Sequence, residues 1–581
     1  VADQKRIAMR WTPHDTPNAG AVEELAQTVT KDPLLAQLLV QRGITNFEQA
    51  RTFFRPDLKH LHEPLRMKDM EAAVERIEKA RIAREHVMIF GDYDVDGTTS
   101  VALLCEFLDG KFPIEAYIPD RYKEGYGLSF DGINLAAELG ITLLIALDCG
   151  TKAFDQIAHA RKLGIDVIVC DHHRPEGQLP RAAAILNPKR SDCLYPCKEL
   201  SGCGVGFKLA HALCDRWGLP LEHYLYPLLD LCAISIAADI VPVDGENRIL
   251  AHYGMERLRR GEARAGIKAL IAVAGKNESS LVFRDLGFTI GPRINAAGRI
   301  ESGLRAVELL RSKNVEEQRD LAERIQAFNE ERREIQGVMY EEALKELATD
   351  DFPYSNVLYK EDWHKGVVGI VASKVVEHRY RPTIVLTKSG DKLAGSARSV
   401  TNFDLYEALE ACEEHLIQFG GHTYAAGMTL HESQLPHFKR AFEAYCAEHL
   451  SPSQLEPVLH YDAPAHLDQF TTRFHDILRQ YAPHGPQNTT PTFLLHNLTL
   501  ASPARAVGKT GEHLKLHVTQ PGAVSSFHGI AFGAAPHLPL LESGQSFDAI
   551  VSLTLNHFRG NSTLELYFED LRASNHDHPV P

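Results

Sequence analysis

The stretch that most constrains this chain is Val87–Ser100, VMIFGDYDVDGTTS: an apolar run, a glycine, then carboxylates at alternate positions, Asp92, Asp94 and Asp96. Val87–Phe90 reads as a strand covered on both faces, as in a parallel sheet, and Gly91 ends it. Three acids so close together repel one another in a site shielded from water unless a cation offsets their charge. Hard divalent ions, manganese or magnesium, suit such oxygen-rich ligands.

The arrangement recurs. Ile141–Gly150, ITLLIALDCG, is a second apolar run ending in an acid, Asp148, and Ile165–His173, IDVIVCDHH, is a third, ending in Asp171, His172 and His173. If the three runs are neighbouring parallel strands, their carboxyl ends share the sheet edge where open α/β folds bind ligands. Leu229–Val243, LDLCAISIAADIVPV, has the pattern of a buried helix with Asp239 near its end, and an aspartate buried there needs a partner or a metal. The expected fold is therefore α/β, with these acids and histidines converging on one site.

At 581 residues the chain is long enough for roughly three or four domains of about 150 residues. It contains no run of about 18 apolar residues and no charged-then-apolar leader, so the expectation is a soluble, cytoplasmic protein that does not engage a membrane. Ten scattered cysteines suit free thiols in a reducing compartment. Cys193, Cys197 and Cys203 cluster in one loop, but a zinc site would need a fourth ligand that no second close pair supplies. A net charge of −15 argues against a general nucleic-acid coat, yet leaves room for a local basic channel.

Residues 1–55 read as a helical segment appended to the first domain. Residues 56–312 alternate strands with amphipathic helices, giving a mostly parallel sheet, and Thr98, Thr99 and Ser100 are expected to cap the helix after the acidic loop. The loop Tyr117–Leu128 interleaves tyrosines with Arg121 and Lys123, a composition able to stack a base and hold a phosphate, and Tyr126 lies within it. Arg293, Asn295 and Arg299, around a glycine-bearing turn, suit phosphate contacts. Residues 313–350 read as one long charged helix joining two domains. Residues 351–452 form a second α/β unit in which Gly420 and Gly421 allow close backbone approach to a strand whose phosphates Arg398, Ser399 and His422 would contact. Residues 453–575 show short alternating strands, as in a small barrel.

GDYDVDGTTS, LDCG, CDHH and AADIVP, in this order, resemble the four motifs of the DHH phosphoesterase superfamily, and GPRINAAGRI, DWHKGVVGIVASK, GSARS and FGGHTYAAG resemble the RecJ single-strand-specific exonucleases in particular. The resemblance implies a parallel-sheet DHH domain, a connecting helix, a DHH-associated substrate-binding domain and a C-terminal oligonucleotide-binding (OB-like) barrel. It implies two divalent ions, manganese preferred or magnesium, ligated by Asp94, Asp96, Asp148, His172 and Asp239, with Asp148 shared and with Asp92, Asp171 and His173 as supporting catalytic residues. Arg121 and Tyr126 fall where the family contacts the strand terminus. The implied activity is 5′ to 3′ exonucleolytic hydrolysis of single-stranded DNA in repair and recombination by a monomer, with a single-strand-binding protein and a repair helicase as partners. The alternative is a DHH phosphodiesterase acting on short oligonucleotides or cyclic dinucleotides; a non-catalytic scaffold is disfavoured because every metal-site acid is present. One departure stands out: where the family has a GxGNPxP-like turn, this chain has PHGPQNTTP, Pro483–Pro491, which puts the role of that turn in doubt.

Overall fold

A computed structural model describes residues 7–349, 351–558 and 561–574. They form two compact units: Thr52–Arg333 with Tyr481–Thr489, and the described residues of Val1–Arg51, Glu334–Gln480 and Thr490–Pro581. No helix among the described residues is long and apolar enough to cross a membrane.

The first unit is built on a five-stranded, all-parallel sheet in the order Ile114–Tyr117, Val87–Gly91, Leu143–Leu147, Asp166–Cys170, Ala184–Leu186. Alternate residues of the three central strands feed two separate cores. Val87, Ile89, Leu143, Ile145, Leu147, Ile168 and Cys170 pack with helices Met70–Ala83, Val95–Leu108, Gly202–Trp217 and Leu229–Ala238. Met88, Phe90, Leu144, Ala146, Val167 and Val169 pack with Phe130–Glu138 and Phe154–Lys162 on the other face. Both faces are covered, which is why these strands read as unbroken apolar runs rather than alternating ones. Each valine, leucine, isoleucine, methionine or phenylalanine among them contributes on the order of 1.5–3 kcal/mol by leaving water.

The strand register fixes the site. Gly91 pairs with Leu147 and Leu147 with Cys170, so the next residues, Asp92, Asp148 and Asp171, emerge level at the carboxyl edge. Helix Val95–Leu108 starts immediately, with Asp94 as its N-cap accepting from the Gly97 amide at 3.0 Å. Gly97 has no alternative: a Cβ there would lie 2.3 Å from the Asp92 carbonyl oxygen. The expected capping by Thr98–Ser100 is corrected. The helix begins three residues earlier, and the Thr99 and Ser100 hydroxyls donate back to the carbonyls of Val95 and Asp96.

The second unit holds a mixed sheet in the order Gln418–His422, Ala425–Leu430, Lys392–Arg398, Thr383–Ser389, Asn356–Tyr359, parallel only in its last pair. It also holds a barrel: Phe493–Val507 pairs with both His513–Thr519 and Phe547–Phe558, which closes the sheet on itself through Phe527–Ala531 and Asn561–Ala573. Helix Val315–Leu347 contributes Leu321, Ala322 and Ile325 to the core of the first unit and Met339, Ala343 and Leu347 to a core of the second.

The N-terminal segment departs from expectation. Arg10–Pro13 is a strand that pairs in parallel with Val458–Tyr461, Trp11 donates its indole N–H to Asp570 at 2.8 Å, and the Arg572 guanidinium lies 4.0 Å from the Trp11 ring centre. Residues up to Arg51 therefore group with the C-terminal part of the chain, not with the first domain. A four-residue strand whose partner lies in the last quarter of the chain has no local signature.

Candidate metal centre

The site is assembled on the carboxyl edge of the parallel sheet. His172 Nε2 lies 3.1 Å from Asp148 Oδ1, 3.5 Å from Asp239 Oδ2 and 3.8 Å from Asp96 Oδ2. Two overlapping groups of ligand atoms have the spacing of a metal site: Asp148, His172 and His173, and Asp96, His172 and Asp239. Asp92, Asp96 and Asp148 are fully buried, whereas the Asp239 side chain is 27% exposed and opens the site to solvent.

Each carboxylate is held differently. Asp96 accepts from the backbone amides of Gly202 (2.6 Å) and Cys203 (2.8 Å) and from the Ser235 hydroxyl (2.7 Å). The two amides open helix Gly202–Trp217, so the positive end of that helix faces the acid. Asp148 has left-handed backbone, φ 60°, and a Cβ on Gly202 would lie 2.7 Å from its own Cβ. Asp92 accepts from the Gly127 amide at 3.1 Å. Asp171 accepts from the amides of Thr151, His172 and His173 and from His173 Nδ1 at 2.7 Å, so it orients the histidine pair rather than facing the ligand cluster. His173 Nε2 lies 3.0 Å from the Tyr126 hydroxyl, which donates to the Asp148 carbonyl at 3.1 Å.

Several polar atoms here have no hydrogen bond although they are buried: Asp92 Oδ2, Asp148 Oδ1 and both nitrogens of His172. Buried polar groups are otherwise nearly always paired, so this concentration of orphans at the ligand cluster fits a bound cation. The electrostatics agree. Burial, reinforced by neighbouring carboxylates, raises Asp92 to about 8 and pushes Asp148 and Asp239 well above the ordinary range; burial likewise raises Asp96. Burial lowers His172, whereas in His173 it is outweighed by the Asp171 hydrogen bond and charge, which raise it to about 9.

A pH dependence follows. The acids have raised values in the folded state, so the metal-free folded chain binds more protons than the unfolded one, and its stability falls as pH climbs from about 4 towards 8. A bound cation replaces those protons. Melting curves are therefore expected to show metal-free protein losing stability between about pH 6 and 8, and Mn2+ raising the melting temperature more at about pH 8 than at about pH 6. Equal Mn2+ shifts at both pH values would refute this.

Around the ligand cluster, Arg121 stacks over the Tyr93 ring at 4.0 Å, and Tyr122 donates to the Arg299 carbonyl at 2.6 Å. Arg299 is pushed down to about 9 by burial and then by the neighbouring Arg121 and Arg332, a clustering of like charges that an anion would relieve. Arg293 is less available than its sequence position suggested, donating to Gln326 and to the Thr289 carbonyl. Asn295 keeps a buried side-chain oxygen without a hydrogen bond. In the second unit, Gly420, Gly421 and His422 lie exposed on the edge strand Gln418–His422, and a Cβ on Gly421 would fall 2.4 Å from the Ala425 carbonyl oxygen. Arg398 bonds to Ser396 and the Ala397 carbonyl, and the Ser399 hydroxyl to the Phe403 carbonyl.

Sequence reading missed the supporting groups. Asn187, fully buried just past the fifth strand, donates to the His173 carbonyl at 2.8 Å and to Thr151 Oγ1 at 3.0 Å. Ser235 and the Ser201-Gly202-Cys203 turn hold Asp96; what matters in Cys203 is its amide, and Cys193 accepts from the Lys68 amide. None of Cys193, Cys197 and Cys203 belongs to a metal-binding group among the described residues.

The chain matches the DHH family N-terminal domain over residues 86–236, the DHHA1 domain over 352–448 and the RecJ OB domain over 461–570. It is 36% identical to the single-stranded-DNA-specific exonuclease RecJ of Bacillus subtilis over 570 residues, 97% of this chain and 71% of that protein. It is also 36% identical to the RecJ of Escherichia coli over 560 residues, 93% of this chain and 96% of that protein. Among solved structures, RecJ from Thermus thermophilus in complex with Mn2+ superposes with a TM-score of 0.82 at 25% identity, covering 99% of this chain and 80% of that one. The fold, the order of its parts and this extended identity place the chain in the RecJ family of single-stranded-DNA-specific exonucleases.

Proposed function

We propose that this chain hydrolyses phosphodiester bonds of single-stranded DNA from the 5′ end, using two divalent cations, manganese by preference or magnesium. The observation that carries the reading is the cluster of Asp96, Asp148, Asp239, His172 and His173 with its buried atoms that lack hydrogen bonds. Carboxylate and imidazole donors suit manganese or magnesium. Asp96, Asp148, Asp239 and His172 would hold the cations, with Asp148 shared as the family resemblance implies, and Asp94 would complete the set beside Asp96. Bound there, the cations would make a water acidic enough to supply hydroxide and would offset charge developing on the phosphoryl oxygens.

The chain's own residues do the rest. Asp171 accepts from His173 Nδ1 and aims the ring, so that its other nitrogen would donate a hydrogen bond or a proton to phosphoryl or leaving oxygen. In the first unit Arg121, Arg299 and Tyr126 would receive the terminal nucleotide while Arg293 and Asn295 contact phosphate; in the second unit Arg398, Ser399 and the Gly420–His422 strand would contact phosphate. A single-strand-binding protein and a repair helicase would deliver the substrate in the cytoplasm to a monomeric enzyme.

The test is nuclease activity with Mn2+ on strands labelled at the 5′ or the 3′ end. Early release of labelled mononucleotide from the 5′-labelled strand alone, absent in Asp148→Asn, is the expected result. First release from the 3′ end would overturn the polarity. Turnover of dinucleotides or cyclic dinucleotides with long strands intact would overturn the substrate.

A further inference from the structure

Tyr481–Thr489 groups with the catalytic unit although the residues on either side of it in sequence do not. This is the turn that departs from the GxGNPxP-like pattern, and its geometry is nonetheless tightly specified. Asn488 Nδ2 donates to the carbonyls of Tyr481 and Pro483, both at 2.8 Å, and Gly485 and Asn488 exchange backbone hydrogen bonds at 3.0 Å. Gln487, where the pattern has its second glycine, adopts φ 61°. Arg248 binds the entrance of the turn. Its guanidinium donates to the carbonyls of Tyr481 (2.8 Å), Ala482 (3.0 Å) and Phe53 (3.2 Å) and lies 3.8 Å from the centre of the Phe53 ring.

What the turn holds is the loop after Asp239. Helix Leu229–Ala238 ends at Asp239, and the next residue, Ile240, is β-branched, 64% exposed and left-handed at φ 59°. Such a conformation in a β-branched residue is strained and persists only where the surroundings impose it. Two anchors impose it here: Asn247 Nδ2 donates to the Pro242 carbonyl at 2.9 Å, and the Val243 amide donates to the Pro486 carbonyl at 2.8 Å. Gly485 packs so closely that a Cβ would fall 2.5 Å from Val243 Cγ2.

We propose that Tyr481–Thr489 is a clamp that positions Asp239, holding the strained Ile240 turn so that this carboxylate stays beside His172 and Asp96. Arg248 and Asn488 are its positioning residues. The metal centre then depends on a segment that follows the DHH-associated domain in sequence, and the turn can do this because Asn488 ties its two ends and Gly485 lets it approach Val243.

The inference rests on the reading of Asp239 as a metal ligand, and the experiment separates the two. The metal-free full chain is titrated with Mn2+, free ion is followed by electron paramagnetic resonance, and thermal melting is recorded without metal. Asn488→Ala and Arg248→Lys are each expected to raise the Mn2+ concentration for half-occupancy about tenfold, as supporting contacts to metal ligands do, with KM for single-stranded DNA unchanged. Adding Ile240→Gly, which relieves the left-handed strain, is expected to recover at least about half of that loss on the free-energy scale. Mn2+ binding unchanged in both variants, whatever happens to the melting temperature, overturns the clamp, as does a loss that Ile240→Gly leaves untouched. Should Asn488→Ala fail to fold, Arg248→Lys, which keeps the cation over the Phe53 ring, decides alone. Unchanged Mn2+ binding in Asp239→Asn would instead refute the ligand reading itself.

Discussion

Asp148→Asn is expected to lower nuclease turnover at saturating Mn2+ by at least about a thousandfold, roughly 4 kcal/mol of transition-state stabilisation, while leaving the metal-free protein as stable as the parent. The two halves of this expectation come from the same geometry. Asp148 is buried, and burial together with Asp96 and Asp94 holds its carboxyl proton on when no cation is bound. An amide of the same shape therefore replaces a neutral group, and asparagine tolerates the left-handed backbone at φ 60° that this position demands. What the amide lacks is the negative charge that a cation held by Asp148 and His172 would need. Release of nucleotide from a labelled strand measures the first half, and melting with and without Mn2+ the second. Turnover within about tenfold of the parent, or an undiminished Mn2+ shift, would remove Asp148 from the centre of the mechanism.

The site was legible in the sequence to the extent that it is built from strand ends. Each of VMIFG, LLIAL and DVIVC is covered on both faces and so betrays itself as a continuous apolar run, and a parallel register makes the residue after each run a neighbour of the others. Asp239 carries a different signal, an acid at the end of an otherwise apolar helix. The supporting groups were illegible because they act through the backbone or across long sequence intervals. The Gly202 and Cys203 amides that hold Asp96 lie more than a hundred residues from it, and nothing in SGCG distinguishes an amide cradle from a cysteine cluster. Asn187 looks like any turn residue before a proline until its two amide hydrogens are traced to His173 and Thr151. Thr98–Ser100 misled for a related reason: hydroxyls at the start of a helix suggest caps, but the tight approach of Gly97 to Asp92 starts the helix earlier. The parallel pairing of Arg10–Pro13 with Val458–Tyr461 is the extreme case, a contact with no local sequence signal at all.

His173→Ala is expected to lower kcat by about a hundred- to ten-thousandfold with Mn2+ half-saturation moving only a few-fold, the pattern of a lost acid rather than a lost ligand. Its Nδ1 is committed to Asp171 at 2.7 Å, and the opposite nitrogen faces the Tyr126 hydroxyl at the open side of the site. Burial disfavours the imidazolium, but in the metal-free protein the Asp171 hydrogen bond and charge win and raise it to about 9. In the metal-free chain the ring is charged below about 9 and loses its proton as pH passes that value, and bound cations bring that loss to lower pH, so activity that depends on the charged ring should decline on the alkaline side. Asn187→Leu, which frees the His173 carbonyl and Thr151, should move kcat in the same direction by about tenfold, since it acts through orientation. Single-turnover release of a 5′-terminal nucleotide at saturating Mn2+ measures both variants without interference from product release. A His173→Ala defect that excess Mn2+ repairs would instead make His173 a ligand, with His172 and Asp148 completing its group.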